Sequence, residues 1–340
     1  MTPRARWAIV VVITTIALGA ASVYGAFAFA RYQQRQQTPP DVAIIAAPSS
    51  PAGPVDNGPA QVYFRNTASG ADFGHVASVP LSSPQGARTI TDQVCDRLYA
   101  TRTDRVCLRT NPGILTTFEA VEFNAAWTQL RTWPLPGIPS RVRIGADDTV
   151  ATTAFVTGHA YAPTTFSTAT VIERGGQSVN LEDYTFTING KTITAADRNF
   201  WGVTFASDGD TFYATAATGR STWLVRGSMS RRTLTAIHDT VECPSLSPDG
   251  THIAYKKNVA DGLVPDWRIA VLDVATNTET VLAEKHSVDD QVEWLDDSTV
   301  LYGLPRAGQT GDSDVWSIGI TASAAPSLFI RHAWSPAVVR

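Results

Sequence analysis

Histidines and carboxylates stand at a fixed distance ahead of a recurring turn in this chain. Ten residues before Pro248 lies His238, ten before Asp296 lies His286, and the same step back from Ser207 reaches Asp197. Arg198, Asp239, Glu242, Asp289, Asp290, Arg331 and His332 lie close to these positions or to a further copy of the same linker. Imidazole, carboxylate and guanidinium groups gathered in one place can titrate near neutral pH, ligate a metal or grip a polar ligand. The candidate site is a ligand- or peptide-binding rim of Asp197, Arg198, His238, Asp239, His286, Asp289, Asp290 and His332. A metal site and ordinary solvated linkers are the competing readings, since equivalent positions around a ring need not come close enough to share one ion. No metal ligand, cofactor or catalytic residue is assigned.

Motifs that would carry other chemistry are missing from the sequence. It has no G-x-S-x-G nucleophile elbow, no H-E-x-x-H, no C-x-x-C, no phosphate-binding loop and no G-x-G-x-x-G opening a helix. Asp208-Gly-Asp210, Asp289-Asp290, Asp296-Asp297 and Asp312-Ser-Asp314 have the density of carboxylates that calcium favours. Three of these four fall in or beside expected turns, where aspartate bonds its own backbone, and turn chemistry is the reading adopted. A formal net charge of −4 supplies no basic face for nucleic acid.

The elements that must position the rim come from a repeat. Trp201-Gly-Val-Thr-Phe-Ala-Ser-Asp-Gly-Asp-Thr-Phe-Tyr213 returns as Pro244-Ser-Leu-Ser-Pro-Asp-Gly-Thr-His-Ile-Ala-Tyr255 and again as Val292-Glu-Trp-Leu-Asp-Asp-Ser-Thr-Val-Leu-Tyr302. The tyrosines are spaced by 42 and 47 residues, the period of a propeller blade. In the clearest unit, strand a covers 243–246, Pro248-Asp-Gly250 makes the turn, strand b covers 252–256, strand c 267–273 and strand d 279–284. Looser copies begin at Ile144 and within 93–135. A sixth is split: 331–339 reads as a strand a, and 61–66 with 74–80 read as its missing outer strands, so that joining the ends closes the ring. The 280 residues from 61 to 340 give ~47 per blade for six blades and ~40 for seven. The fold class is therefore all-β, a six-bladed β-propeller with seven blades as the alternative. Trp127, Trp133, Trp201, Trp267, Trp294 and Trp316 recur at strand positions and read as packing between blades.

Ser247-Pro-Asp-Gly-Thr-His-Ile-Ala-Tyr255, with its copies at 207–213 and 296–302, resembles the repeat of TolB-type β-propellers. The likeness is clear over about residues 140–339, and the whole chain resembles TolB-like proteins of actinobacteria that carry an N-terminal membrane segment. The resemblance implies a six-bladed propeller outside the cytoplasm that binds proteins or ligands. Residues 31–60 leave no room for the separate α/β domain of TolB itself, which puts a role in the Tol envelope system in doubt.

The N-terminus fits such a location. Residues 7–30 are uncharged and mostly apolar, and at ~1.5 Å per residue they can cross the ~30 Å bilayer core. They read as a signal anchor with residues 1–6 in the cytoplasm; cleavage near Ala30 and secretion is the alternative. Residues 31–60, rich in Pro, Ala, Gly and Ser, read as a disordered linker before the propeller at 61–340. Cys95 and Cys107 are expected to form a disulfide, as directly opposed residues of a hairpin pairing 93–99 with 104–109. Cys243 is expected to be a buried small hydrophobe. The leading function is a membrane-tethered, extracytoplasmic scaffold that binds an envelope protein or peptide at its channel mouth. The alternatives are a lyase or hydrolase acting on an envelope glycan or peptide, and a structural spacer.

Overall fold

The computed structural model describes residues 3–46, 58–156, 166–262 and 264–340. They form two compact bodies: Met1–Asp41 with Ala68–Phe73, and Val42–Thr67 with Gly74–Arg340.

The first body is dominated by one α-helix, Pro3–Gln37. Proline is tolerated in a helix's first turn, where its missing N–H leaves no bond unmade, and the Pro39-Pro40 pair stops the helix. Its apolar stretch has a mean hydropathy of 2.1 and is long enough to cross a membrane. The helix overruns the expected span because Arg31–Gln37 holds good helix formers, so the expected linker at 31–60 starts late. That linker is also not structureless throughout. Ile44–Ala46 pairs in parallel with Arg88–Val94 as an added outer strand, while 47–57 lie outside the described residues.

The second body is a six-bladed propeller, each blade built on four antiparallel strands named a to d outward from the channel. Blade 1 takes strand a from the C-terminus, Ala333–Val339, and the others from Gln61–Asn66, His75–Pro80 and Arg88–Val94. Blade 2 runs Arg97–Ala100, Asp104–Asn111, Thr117–Asn124 and Gln129–Pro134; blade 3 runs Ile138–Ile144, Val150–Val156, Ser167–Arg174 and Gln177–Asn180. Blade 4 is Asn199–Phe205, Thr211–Thr218, Ser221–Ser228 and Thr233–Asp239, with the insertion before it folded as an outer hairpin, Thr185–Ile188 with Lys191–Thr192. Blade 5 is Glu242–Leu246, His252–Asn258, Trp267–Asp273 and Glu279–Val281; blade 6 is Glu293–Asp296, Thr299–Pro305, Ser313–Gly319 and Ser327–Ile330.

The ring closes where the sequence pattern placed the seam. Gln61 pairs with Val339 and Asn66 with Ala333, and Val62, Phe64 and Val79 of blade 1 pack on Leu301, Val315 and Ile330 of blade 6. Adjacent blades meet through the repeat's own side chains. Tyr302 of blade 6 is fully buried and donates its hydroxyl to Glu284, in the linker from blade 5, while the fully buried Tyr255 donates to Glu279 within blade 5. Trp294 Nε1 donates to Ser245 O at 2.9 Å, fastening blade 6 to blade 5.

The disulfide forms, but not by the expected register. Leu98 faces Cys107 and Tyr99 faces Val106, so Cys95 is not its partner's cross-strand neighbour. Cys95 lies in the linker from blade 1 to blade 2, with a Cα separation from Cys107 of 5.4 Å, and the bond staples two blades rather than two strands of one hairpin.

Three innermost strands carry a bulge whose first residue adopts positive φ: Gly202 (67°), Cys243 (52°) and Ser335 (55°). A Cβ on Gly202 would stand 2.7 Å from Cys243 Cα, so two successive blades touch backbone to backbone there. Cys243 itself is buried at the start of its strand, as expected.

Candidate functional site

Successive strand residues point to opposite sides, so positions two apart on an innermost strand share the channel face. On blade 2 these are Arg97 and Tyr99; on blade 3, Arg141 and Arg143. Their charges are met by acids arriving from blades 5 and 6. Arg97 Nη1 lies 3.1 Å from Asp290 Oδ1 while its guanidinium stacks over the Trp334 ring. Arg143 reaches across to blade 6, where Nη2 donates to Val292 O at 2.9 Å and stands 3.5 Å from Glu293 Oε2. Lys256 bonds Asp289 at 2.5 Å, lies 3.5 Å from Glu242 and sits over the Trp267 ring. The neck of the channel is thus filled by a charged network, with Cys243 beside Arg141.

Burial sets the electrostatics of this network. Desolvation, helped by the neighbouring Arg141 and opposed by Asp290, pushes the Arg97 guanidinium down to about 10. Burial raises the carboxyls of Glu242 and Glu293, against the pull of Lys256 and Arg143. Burial, and then the proximity of Glu293, raises the Tyr99 phenol.

Beyond the neck the channel widens into a cavity of 430 Å³ at the end where the innermost strands finish. Tyr99, Arg143, Thr204, Ser245 and Glu293 form its floor, and the repeat turns at Ser207 and Pro248–Gly250 form its wall. Arg340 reaches the same mouth and donates from Nη2 to Trp294 O at 3.3 Å. The Pro-Asp-Gly turn is therefore both a hairpin device and part of the lining, with Gly250 at φ 73°.

The rim read from the sequence lies at the opposite end, where innermost strands begin, and it does not gather into one site. Asp289 and Asp290 do enter the charged neck. His332 is buried in a separate group, its Nδ1 2.8 Å from Asp312 Oδ2 and its ring against Arg306. His238 faces Glu279 at 3.5 Å, and His286, largely exposed, bonds Glu284 at 2.7 Å. Asp197 accepts from Thr218 Oγ1 and Gly219 N, and shares a small cleft with Arg198; Asp239 ends strand d of blade 4. Among the described residues no three His, Cys, Asp or Glu side chains are placed to hold a metal ion. Of the aspartates weighed as calcium ligands, Asp208 and Asp296 bind their own turns, Asp208 accepting from Asp210 N and Thr211 N and Asp296 from Ser298 N and Oγ, while Asp289 and Asp290 pair with Lys256 and Arg97 and Asp312 pairs with His332.

Sequence reasoning missed Arg97, Tyr99, Arg141, Arg143, Lys256, Glu293 and Arg340. One signal was available: strands expected to be innermost should be apolar, and Arg-x-Arg at 141–143 breaks that rule. A buried strand keeps charge only where another charge or a polar channel meets it.

The fold and its mouth define a TolB-like six-bladed propeller with a ligand-sized channel opening. No protein-family model matches the sequence, and no curated protein matches it. Among solved structures it is similar to TolB from Acinetobacter baumannii, with 12% identity and a TM-score of 0.58 over 83% of this chain and 67% of that one. It is also similar to a chain of a nidogen/laminin complex, with 10% identity and a TM-score of 0.52 over 83% of this chain and 98% of that one. An oligogalacturonate lyase from Vibrio parahaemolyticus gives 11% identity and a TM-score of 0.48 over 74% and 73%. At these identities the likeness is one of fold.

Proposed function

We propose that the chain is a membrane-tethered binding propeller, held outside the cytoplasm by the apolar helix, that takes a protein or peptide partner at its channel mouth. The observation that carries this is the 430 Å³ cavity, whose hydroxyl-bearing walls surround the Arg143–Glu293 pair. A concave site with a few fixed polar groups suits an extended segment or loop tip. The mouth lies among the a–b turns and replaces the His-bearing linkers as the preferred binding surface. Tyr99, whose phenol is raised by burial and by Glu293, keeps its proton at neutral pH and offers the mouth a hydroxyl that a partner's acceptor could meet. The test is site-directed photo-crosslinking in cells that produce the full chain. A crosslinker replacing Thr101 at the mouth should trap a discrete partner, and one replacing His286 should not. Absence of any adduct from Thr101 and a second mouth position, Ser207, would count decisively against the proposal.

A further inference from the structure

Two polar groups on the floor of the cavity lack the hydrogen bonds their surroundings call for. Glu293, in the innermost strand of blade 6, has only 8% of its side chain exposed. Its nearest donors are Val338 N at 3.4 Å and Arg143 Nη2 at 3.5 Å, beyond the ~2.7–2.9 Å of a charge-assisted bond. Arg143 is spent elsewhere: it crosses the channel from blade 3 to donate from Nη2 to Val292 O, and its Nη1 donates to Val142 O. Arg340 likewise donates to backbone, at Trp294 O. A buried carboxylate is ordinarily both paired and hydrogen-bonded. The second group is the Tyr99 hydroxyl of blade 2, which keeps its proton and has no acceptor among the described residues. The hydroxyls of Ser207 and Ser245 line the same cavity and can serve either as donor or as acceptor.

A ligand that meets both needs must donate to Glu293 and accept from Tyr99. It should also be uncharged. The lining sets two guanidiniums, Arg143 and Arg340, against one carboxylate, so a further cation enters against like charge. A carboxylate would gain from the guanidiniums, but it would stand against Glu293 and bring it no donor. A primary carboxamide carries two N–H donors and a carbonyl acceptor at the end of one side chain, without charge. We propose that the partner inserts an asparagine or glutamine side chain from a loop tip, its amide N–H groups on Glu293 and its carbonyl oxygen on the Tyr99 hydroxyl. The inference rests on the mouth being the binding surface and names what is recognised there. Such a tip completes a half-made network, whereas a tip without the donors leaves Glu293 unmatched, and discrimination follows from that difference.

The experiment uses the full chain in detergent micelles and four capped tripeptides, acetyl-Gly-Xaa-Gly-methylamide with glutamine, glutamate, lysine or serine at the centre, read by saturation-transfer NMR. The glutamine peptide should bind about fivefold more tightly than the other three, the effect of one net hydrogen bond. Tyr99→Phe removes only the hydroxyl and should weaken the glutamine peptide by about fivefold while leaving the lysine peptide unchanged. Glu293→Gln puts a donor beside the two guanidiniums and removes the opposing charge, so preference should pass to the glutamate peptide. Equal affinities for all four, a best binder other than the glutamine peptide, or undiminished binding of it by Tyr99→Phe overturns the proposal. So does failure of every peptide to bind while a crosslinker at Thr101 still traps a partner, a result that leaves the mouth standing as the binding surface. No adduct from Thr101 or Ser207 removes that surface and this proposal with it.

Discussion

Replacing Asp290 by asparagine should cost stability well out of proportion to the atoms changed. Asp290 is 2% exposed, and its carboxylate is the acid paired with Arg97, 3.1 Å away. Arg97, its side chain 17% exposed, is largely desolvated and already feels Arg141, both of which favour loss of its proton; Asp290 is what opposes them. At an effective dielectric of ~20, unit charges ~4 Å apart attract by ~4 kcal/mol. Removing one member of a buried pair typically costs about 3–5 kcal/mol, because the other is left charged and unmatched. The asparagine side chain keeps the shape and one acceptor, so the expected loss is at the lower end, about 3 kcal/mol. For a domain of this size that lowers the melting temperature by roughly 6–12 °C. Urea titration of the full chain in detergent, followed by tryptophan emission, reads the change. Asp290→Asn with Arg97→Met should be less destabilised than the sum of the two single variants by about 1–3 kcal/mol. An Asp290→Asn loss below about 0.5 kcal/mol, or strict additivity, would show that the neck behaves like a screened surface contact and refute the reasoning.

Two further perturbations test the local structure around the repeat. Gly202→Ala meets both a positive φ and a backbone atom 2.7 Å from the new Cβ, whereas Gly250→Ala meets positive φ with open space around it. Thermal melts should show a loss of about 1–2 kcal/mol for Gly250→Ala and about 2–4 for Gly202→Ala, and equal losses would remove the proposed contact with Cys243. Asp249 is held at about 2 by hydrogen bonds from the Ser247 hydroxyl and from the Thr251 amide and hydroxyl. A carboxyl depressed on folding contributes stability above its unfolded value, lost as pH falls through its folded one. The Pro-Asp-Gly turn should therefore loosen between about pH 4 and pH 2, which carboxyl NMR titration would follow, and Ser247→Ala should narrow that window from below.

The ring was readable because its marks are local. A turn such as Ser247-Pro-Asp-Gly250 is fixed by residues adjacent in sequence, so its recurrence survives the drift of everything around it. The same locality explains the split blade, since 331–339 and 61–66 each read as a strand without knowledge of the other. Cys95 and Cys107 show where this stops. Their pairing was expected from a hairpin register that the blade does not adopt, and the bond forms because the linker from blade 1 brings Cys95 back over strand b of blade 2.

The channel site was hidden for the opposite reason. Arg97 meets Asp290 and Arg143 meets Glu293 across 193 and 150 residues of chain, and no short-range pattern joins them. Equal offsets from a turn reached the same end of the ring, but a shared end is not convergence. Asp197 and His286 do lie in linkers, but His238 lies within strand d of blade 4 rather than in the expected linker, and each of the three finds a separate partner. Apart from Lys256, which reaches the neck from strand b of blade 5, the residues of the neck come from an innermost strand or from the linker step just before it. Asp289 and Asp290 take that step and the histidines do not. The better rule for reading such a repeat is to look for charge inside the strand that leads into the turn. There Arg141 and Arg143 are a cost to the fold unless the channel uses them, and the mouth they support is where a partner should be sought.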